Sequence, residues 1–163
     1  MTKKLLLPFQ HGLDVRAIEQ AVRLAKGSDA TLAPFSLIPI AERYGKKDSR
    51  LDLVQQSKDF LEVTRHKARA YAVPVEPYER YTKDCAQSIC MLVYEMQCDG
   101  IVLFISYKGG LLLPADIISK LVDEAKCKLY IIRLPSDDRL TLSQKLRMSL
   151  LRWMPGKRTF CTQ

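Results

Sequence analysis

Histidine is nearly missing from this chain: His11 and His66 are the only two in 163 residues. Nucleophilic catalysis by serine or cysteine needs a base beside the nucleophile, and histidine is the usual one. His11 falls in a loop and His66 lies mid-helix between Arg65 and Lys67, so neither has a visible partner for that chemistry. There is no G-x-S-x-G, no H-E-x-x-H, no phosphate-binding P-loop and no G-x-G-x-x-G. The five cysteines, Cys85, Cys90, Cys98, Cys127 and Cys161, include no C-x-x-C pair and are odd in number. Free thiols in a reducing compartment are expected rather than a zinc site or a disulfide framework. Long apolar runs are also lacking. Pro8 cuts the leading Leu5-Leu6-Leu7 short, and nothing approaches the ~20 residues that span a membrane. These absences together exclude the familiar hydrolase and dinucleotide classes. A cytoplasmic protein without catalytic residues, resident metal or cofactor is the expectation.

What is present is a globular balance of 47% hydrophobic and 27% charged residues, enough for one domain with a real core. The net charge is +8, but it is unevenly spread. Residues 140–163 hold Lys145, Arg147, Arg152, Lys157 and Arg158 and no acid, which accounts for five of the eight charges. The basic balance therefore belongs mainly to the tail.

Along the chain, short apolar runs alternate with stretches of helical period. Lys3–Leu7, Ala30–Ile38, Val73–Tyr81, Gly100–Ile105 and Lys128–Arg133 read as strands. Pro34, inside the second, removes a ladder donor, and the two prolines of the third suit an edge strand. Helices are predicted from Asp14 to Gly27, Leu51 to Tyr71, Asp84 to Gln97 and Pro114 to Ala125. In the second helix Leu51, Val54, Leu61 and Ala68 make the apolar stripe. Strands that are continuous apolar runs, separated by helices, predict an α/β fold with a parallel sheet covered on both faces. A single doubly wound five-stranded sheet is the simplest arrangement.

Several segments resemble the universal stress protein family. These are Lys3-Lys-Leu-Leu-Leu-Pro-Phe9, the helix Ala17–Lys26 with Ala30-Thr-Leu32 after it, Asp84-Cys-Ala-Gln-Ser-Ile89, Cys98-Asp-Gly-Ile-Val-Leu103, and Ile117–Arg133. They occur in the family's order over roughly residues 2–134. The resemblance implies strand order 3-2-1-4-5 and a homodimer, often formed through the last strand. Members that bind ATP have an Asp after the first strand, and after the fourth a Gly-x-x-Gly followed nine residues later by Gly-Ser or Gly-Thr. Here Gln10 takes the Asp position, Gly109 and Gly110 are adjacent, and Pro114-Ala115 stands where two phosphate donors would be. The resemblance thus implies a vestigial nucleotide pocket at Gln10, His11, Val102, Lys108, Gly109 and Gly110, in a member that has lost ATP binding.

The resemblance stops near residue 135, giving an expected domain at 1–135 and a separate element at 136–163. Thr141-Leu-Ser-Gln144 has the form of a capping box, and Pro155-Gly156 would end the helix after Met154. Leu142, Leu146, Leu150 and Trp153 share one face, Lys145 and Arg152 another, and Arg147 flanks the apolar stripe. This basic amphipathic helix has three readings: packing on its own domain or a dimer mate, docking into a partner protein or larger complex, or lying peripherally on an anionic membrane. The expected contacts are Lys145, Arg147, Leu150, Arg152, Trp153, Lys157 and Arg158. Nucleic acid is not expected, because no recognised binding module is present. The functional expectation is a non-enzymatic regulatory or interaction protein. The alternative is a stress sensor binding an ATP- or AMP-type nucleotide in an altered pocket.

Overall fold

The structure is a computed structural model that describes residues 2–40 and 47–135. The expected C-terminal helix and all its contact residues lie outside them. The elements run β1 (Lys3–Phe9), α1 (Val15–Gly27), β2 (Ala30–Pro39), α2 (Lys47–Ala70), β3 (Tyr78–Thr82), α3 (Cys85–Glu95), β4 (Gly100–Ser106), β5 (Gly109–Leu111), α4 (Ala115–Glu124) and β6 (Lys128–Arg133). Five strands are parallel and ordered 3-2-1-4-6, the arrangement expected with the last strand renumbered. The sixth, β5, is a short antiparallel strand that sequence periodicity did not predict. Three residues are too few for a period of two to show.

Both faces of the sheet are covered. Leu5, Leu7, Phe9 and Leu32 pack under α1 and α2, while Leu6, Ala33, Phe35 and Leu37 pack under α3 and α4. Alternation along each strand sends successive residues to opposite faces, so both sets must be apolar. This explains the unbroken apolar runs. Pro34 sits within the central strand β2, in register with Leu7, and the ladder continues past it.

Helix ends follow local chemistry. Asp14 caps α1 by accepting from the N–H groups of Arg16 and Ala17, and Asp84 caps α3 by accepting from Gln87. The end of α1 differs from expectation. The cap is Ser28, and the left-handed residue is Asp29 (φ 50°), a type that tolerates that region, rather than Gly27. The buried stripe of α2 also differs. Ala68 is buried as expected and Leu61 packs half-buried against the core, but the other fully buried positions are Ser57, Phe60 and Thr64, whereas Leu51 is 68% exposed. Hydroxyls can line this stripe because each has a partner: Thr64 donates to the Phe60 carbonyl at 2.7 Å, and Ser57 donates to Glu79. Phe60 stacks on Phe9, with ring centroids 4.3 Å apart and planes 8° from parallel.

Glu19 ties α1 to α2. Its carboxylate accepts from Arg23 at 2.8 Å, Lys67 at 3.1 Å and Tyr71 at 3.0 Å. The hydrogen bonds from Arg23, Lys67 and Tyr71, with the Lys67 charge, hold its pKa down to about 2. At the other end of the domain, Arg16 donates to the Pro135 carbonyl at 3.2 Å and fixes where the chain leaves β6.

Two expected outcomes follow from this packing. Phe60→Ala removes a ring with no exposed surface and lowers unfolding stability by about 3–5 kcal/mol in urea titrations. Glu19 is more acidic folded than unfolded, so its stabilisation is complete above the unfolded value near 4.5 and fades as pH falls toward about 2. Glu19→Gln removes that slope from unfolding midpoints measured between those pH values.

Candidate functional site

In an open α/β sheet, ligands bind at the carboxyl ends of the strands where the order reverses. Here that point lies between β1 and β4. The two strands pair only at Leu5–Gly100 and Leu6–Ile101, and above that level they part. The gap is filled. β6 occupies one edge of β4 from Gly100 to Ile105. β5 therefore takes the other edge, pairing Phe104 with Leu111, Ile105 with Gly110 and Ser106 with Gly109. Beyond β5, the Leu112 carbonyl accepts from the N–H of Gln10 at 2.8 Å and of His11 at 3.4 Å. The β4–β5 hairpin thus lies across the crevice and joins β4 back to the end of β1.

Its anchor is a pair of leucines. Leu112 is 2% exposed and belongs to the core under α1 and α2, and Leu113 is 1% exposed and belongs to the core under α3 and α4. Leu112 has φ 65°, a left-handed conformation disfavoured for a branched side chain. The hairpin depends equally on Gly109 and Gly110. Gly109 has φ 128°, and a Cβ on Gly110 would lie 2.2 Å from the Leu113 carbonyl oxygen and 2.8 Å from Ile118. The glycines let the backbone fold down onto the start of α4. They do not form an open phosphate loop.

The residues expected in the pocket separate accordingly. Gln10 and His11 lie beside Leu112, with His11 exposed and Gln10 half-buried. The Gln10 Oε1 is buried with no hydrogen-bond partner in the structure. Gly109 and Gly110 are strand residues of the plug itself. Lys108 is at the exposed hairpin turn, its N–H donating to Ser106 Oγ at 3.2 Å. Val102 is 1% exposed inside the core, in register with Tyr130 at mid-strand. The start of α4, where a phosphate would rest, is capped by Pro114 without any side-chain bond and carries Asp116 in its first turn. A carboxylate there already meets the helix dipole and repels a second anion. Sequence reading missed Leu112 and Leu113 as site residues. The signal was present in three leucines between two glycines and a proline, a segment too apolar for a phosphate loop.

Two concavities lie away from the crevice. One, of about 620 Å³, sits at the opposite end of the sheet between α3 and α4, lined by Cys90, Val93, Tyr94, Cys98, Ile101 and Cys127 among others. Burial pushes the Cys98 thiol up to about 11 and raises Cys90 and Cys127, which favours their neutral thiol form. The other, of about 420 Å³, lies along the outer stripe of α2 at Lys58, Leu61, Glu62, Arg65, His66 and Arg69. Its charged side chains make a solvated face. Among the described residues no cluster of His, Cys, Asp and Glu could hold a metal ion, and no helix is long and apolar enough to cross a membrane.

Known structures share this architecture. A universal stress protein family protein from Burkholderia pseudomallei superposes with a TM-score of 0.63, at 18% identity, over 80% of this chain and 95% of that one. One from Archaeoglobus fulgidus, in complex with dAMP, gives a TM-score of 0.61 at 15% identity over 80% and 97%. One from Arabidopsis thaliana, with AMP bound, gives 0.57 at 17% identity over 88% and 98%. No curated protein matches the sequence. At these identities the structures speak for the fold alone, but the profile of the universal stress protein family itself matches residues 1–133. The parallel sheet, its strand order and that match lead to one conclusion: this chain belongs to the universal stress protein family.

Proposed function

We propose that the protein is a non-enzymatic regulatory member of its family, whose nucleotide crevice is closed by its own hairpin and which acts through its surface. The observation that carries this reading is the hydrogen bond from Gln10 N–H to the Leu112 carbonyl, with Leu112 and Leu113 buried on either side of the sheet. A nucleotide entering the crevice must displace both side chains. Burying a leucine is worth about 1.5–3 kcal/mol, so two cost a ligand roughly 3–6 kcal/mol, a factor of at least about a hundred in affinity. The Pro114-Ala115 start of α4 then offers a phosphate neither a hydroxyl nor the N–H that proline lacks. In this reading the basic segment 136–163 is the element presented to a partner, in a cytoplasmic, homodimeric protein.

A second reading is nucleotide sensing, and the neighbours favour it. The Archaeoglobus and Arabidopsis proteins hold dAMP and AMP, and another universal stress protein of similar fold is in complex with cAMP. In this chain Gln10 Oε1, a buried acceptor without a partner, suits the exocyclic amine of an adenine. On this reading the hairpin swings out when the nucleotide enters.

Isothermal titration with ATP, AMP and cAMP separates the two. The closed-crevice reading expects no heat of binding at micromolar ligand, whereas saturable micromolar binding of any of the three overturns it in favour of the sensor. Gly110→Ala tests the plug itself. The added methyl group cannot fit against the Leu113 carbonyl, so thermal unfolding shifts down by several degrees, the scale of about 1–2 kcal/mol in a domain of this size. Protease cleavage near Tyr107 and Lys108 rises with it.

A further inference from the structure

We propose that the outer stripe of α2 is a binding site for a small soluble ligand carrying several phosphates, such as a linear polyphosphate. Lys58, Glu62, Arg65 and Arg69 fall at i, i+4, i+7 and i+11, so the four side chains leave one face of the helix. All four are exposed, as is His66 beside them. With the half-buried Leu61 they line the concavity of about 420 Å³. Three cations there face one carboxylate.

These cations differ from others in the domain. Among the described residues, Lys4, Arg16, Arg23, Lys67 and Arg80 stand in ion pairs. The Arg50 guanidinium lies over the Tyr81 ring, 5.8 Å from its centroid. Lys58, Arg65 and Arg69 have neither kind of partner among the described residues. Glu62 is one turn from Lys58 and one from Arg65, a spacing at which opposite charges commonly pair on a helix. Here they stay apart and ring the concavity instead. An anion entering it meets three cations and breaks no existing pair.

The side chains and their spacing set the chemistry of the ligand. Arg65 and Arg69 are one turn, about 6 Å, apart, and two guanidinium forks at that distance converge on the oxygens of one phosphate. Lys58 lies about 10 Å back along the helix from Arg65, a point charge for a further phosphate. A ring N–H of His66 adds a donor. Leu61 is the one apolar residue in the lining, which leaves little purchase for a lipid chain or for the side chains of a peptide. Glu62 stands among the cations, so a singly charged anion is held weakly and a ligand of high charge is preferred. The scaffold beneath is firm. Phe60, Thr64 and Ala68 are buried, and Lys67 and Tyr71 tie the end of α2 to Glu19. This site lies away from the crevice and does not depend on whether the crevice is closed.

The probe is inorganic tripolyphosphate, titrated by calorimetry into the full-length chain at low salt. Saturable binding is expected. Arg65→Gln and Arg69→Gln should each weaken it about tenfold, equivalent to 1.4 kcal/mol, on the scale of one charge-assisted hydrogen bond. Glu62→Gln should tighten it, a gain that a merely structural role for these residues does not produce. Lys120→Gln, at an exposed cation of α4, should leave it unchanged. All four substitutions are at exposed positions, and circular dichroism checks that each variant is folded. Absence of binding overturns the proposal. Affinity that is the same in Arg65→Gln and Arg69→Gln also overturns it, by assigning the phosphates to another basic segment. Equal binding of a glutamate-rich peptide overturns it in favour of a protein partner, and binding only to phosphoinositide vesicles overturns it in favour of a membrane. AMP and cAMP carry one phosphate each and test the crevice separately. A heat from ATP that Arg65→Gln abolishes belongs to this face of α2 and not to the crevice.

Discussion

Everything particular to this domain depends on the parting of β1 from β4. Parallel strands in a doubly wound sheet diverge at the switch point, because the helices that follow them leave toward opposite faces. The divergence leaves backbone N–H groups at the end of β1 without a ladder partner, and such groups need one. A ligand or solvent can supply it. In this chain the Leu112 carbonyl does, accepting from both Gln10 and His11. The rest of the hairpin is shaped by that requirement: two glycines to descend onto α4, a left-handed leucine to turn, and one leucine in each core.

The plug also explains why the site was harder to read than the fold. The β1, β4 and β6 segments announced themselves as apolar runs because both of their faces are buried, and Asp14 and Asp84 marked helix starts through ordinary capping chemistry. Such signals are local and survive without coordinates. The crevice depends on contacts between residues about a hundred positions apart, Gln10 with Leu112, and no periodicity carries that information. The glycine pair was visible, but its role could be told only from the carbonyl that lies where a Cβ would be. Val102 shows a different limit. Its place on the fourth strand was legible, yet which face it turns to depends on register, and register puts it in the core opposite Tyr130.

The stripe of α2 gives the same lesson at smaller scale. Leu51 looked like part of the buried face because it is apolar, but it is exposed, and Ser57, Phe60 and Thr64 are turned inward beside the half-buried Leu61. Polar side chains take buried positions when geometry satisfies them. The Phe60 carbonyl and the Glu79 carboxylate do so here. Amphipathic reading ranks residues by solubility, and it cannot anticipate which hydroxyls will find partners.

The Arg16–Pro135 bond has a mechanical meaning. Arg16 is the second residue of α1 and also pairs with Asp14, the cap of that helix. Asp14 in turn lies four residues after Gln10. A load applied to the chain beyond Pro135 therefore reaches α1's cap and the loop below it as well as the last strand. The exit from β6 and the loop leading from β1 into α1 therefore share one bracket.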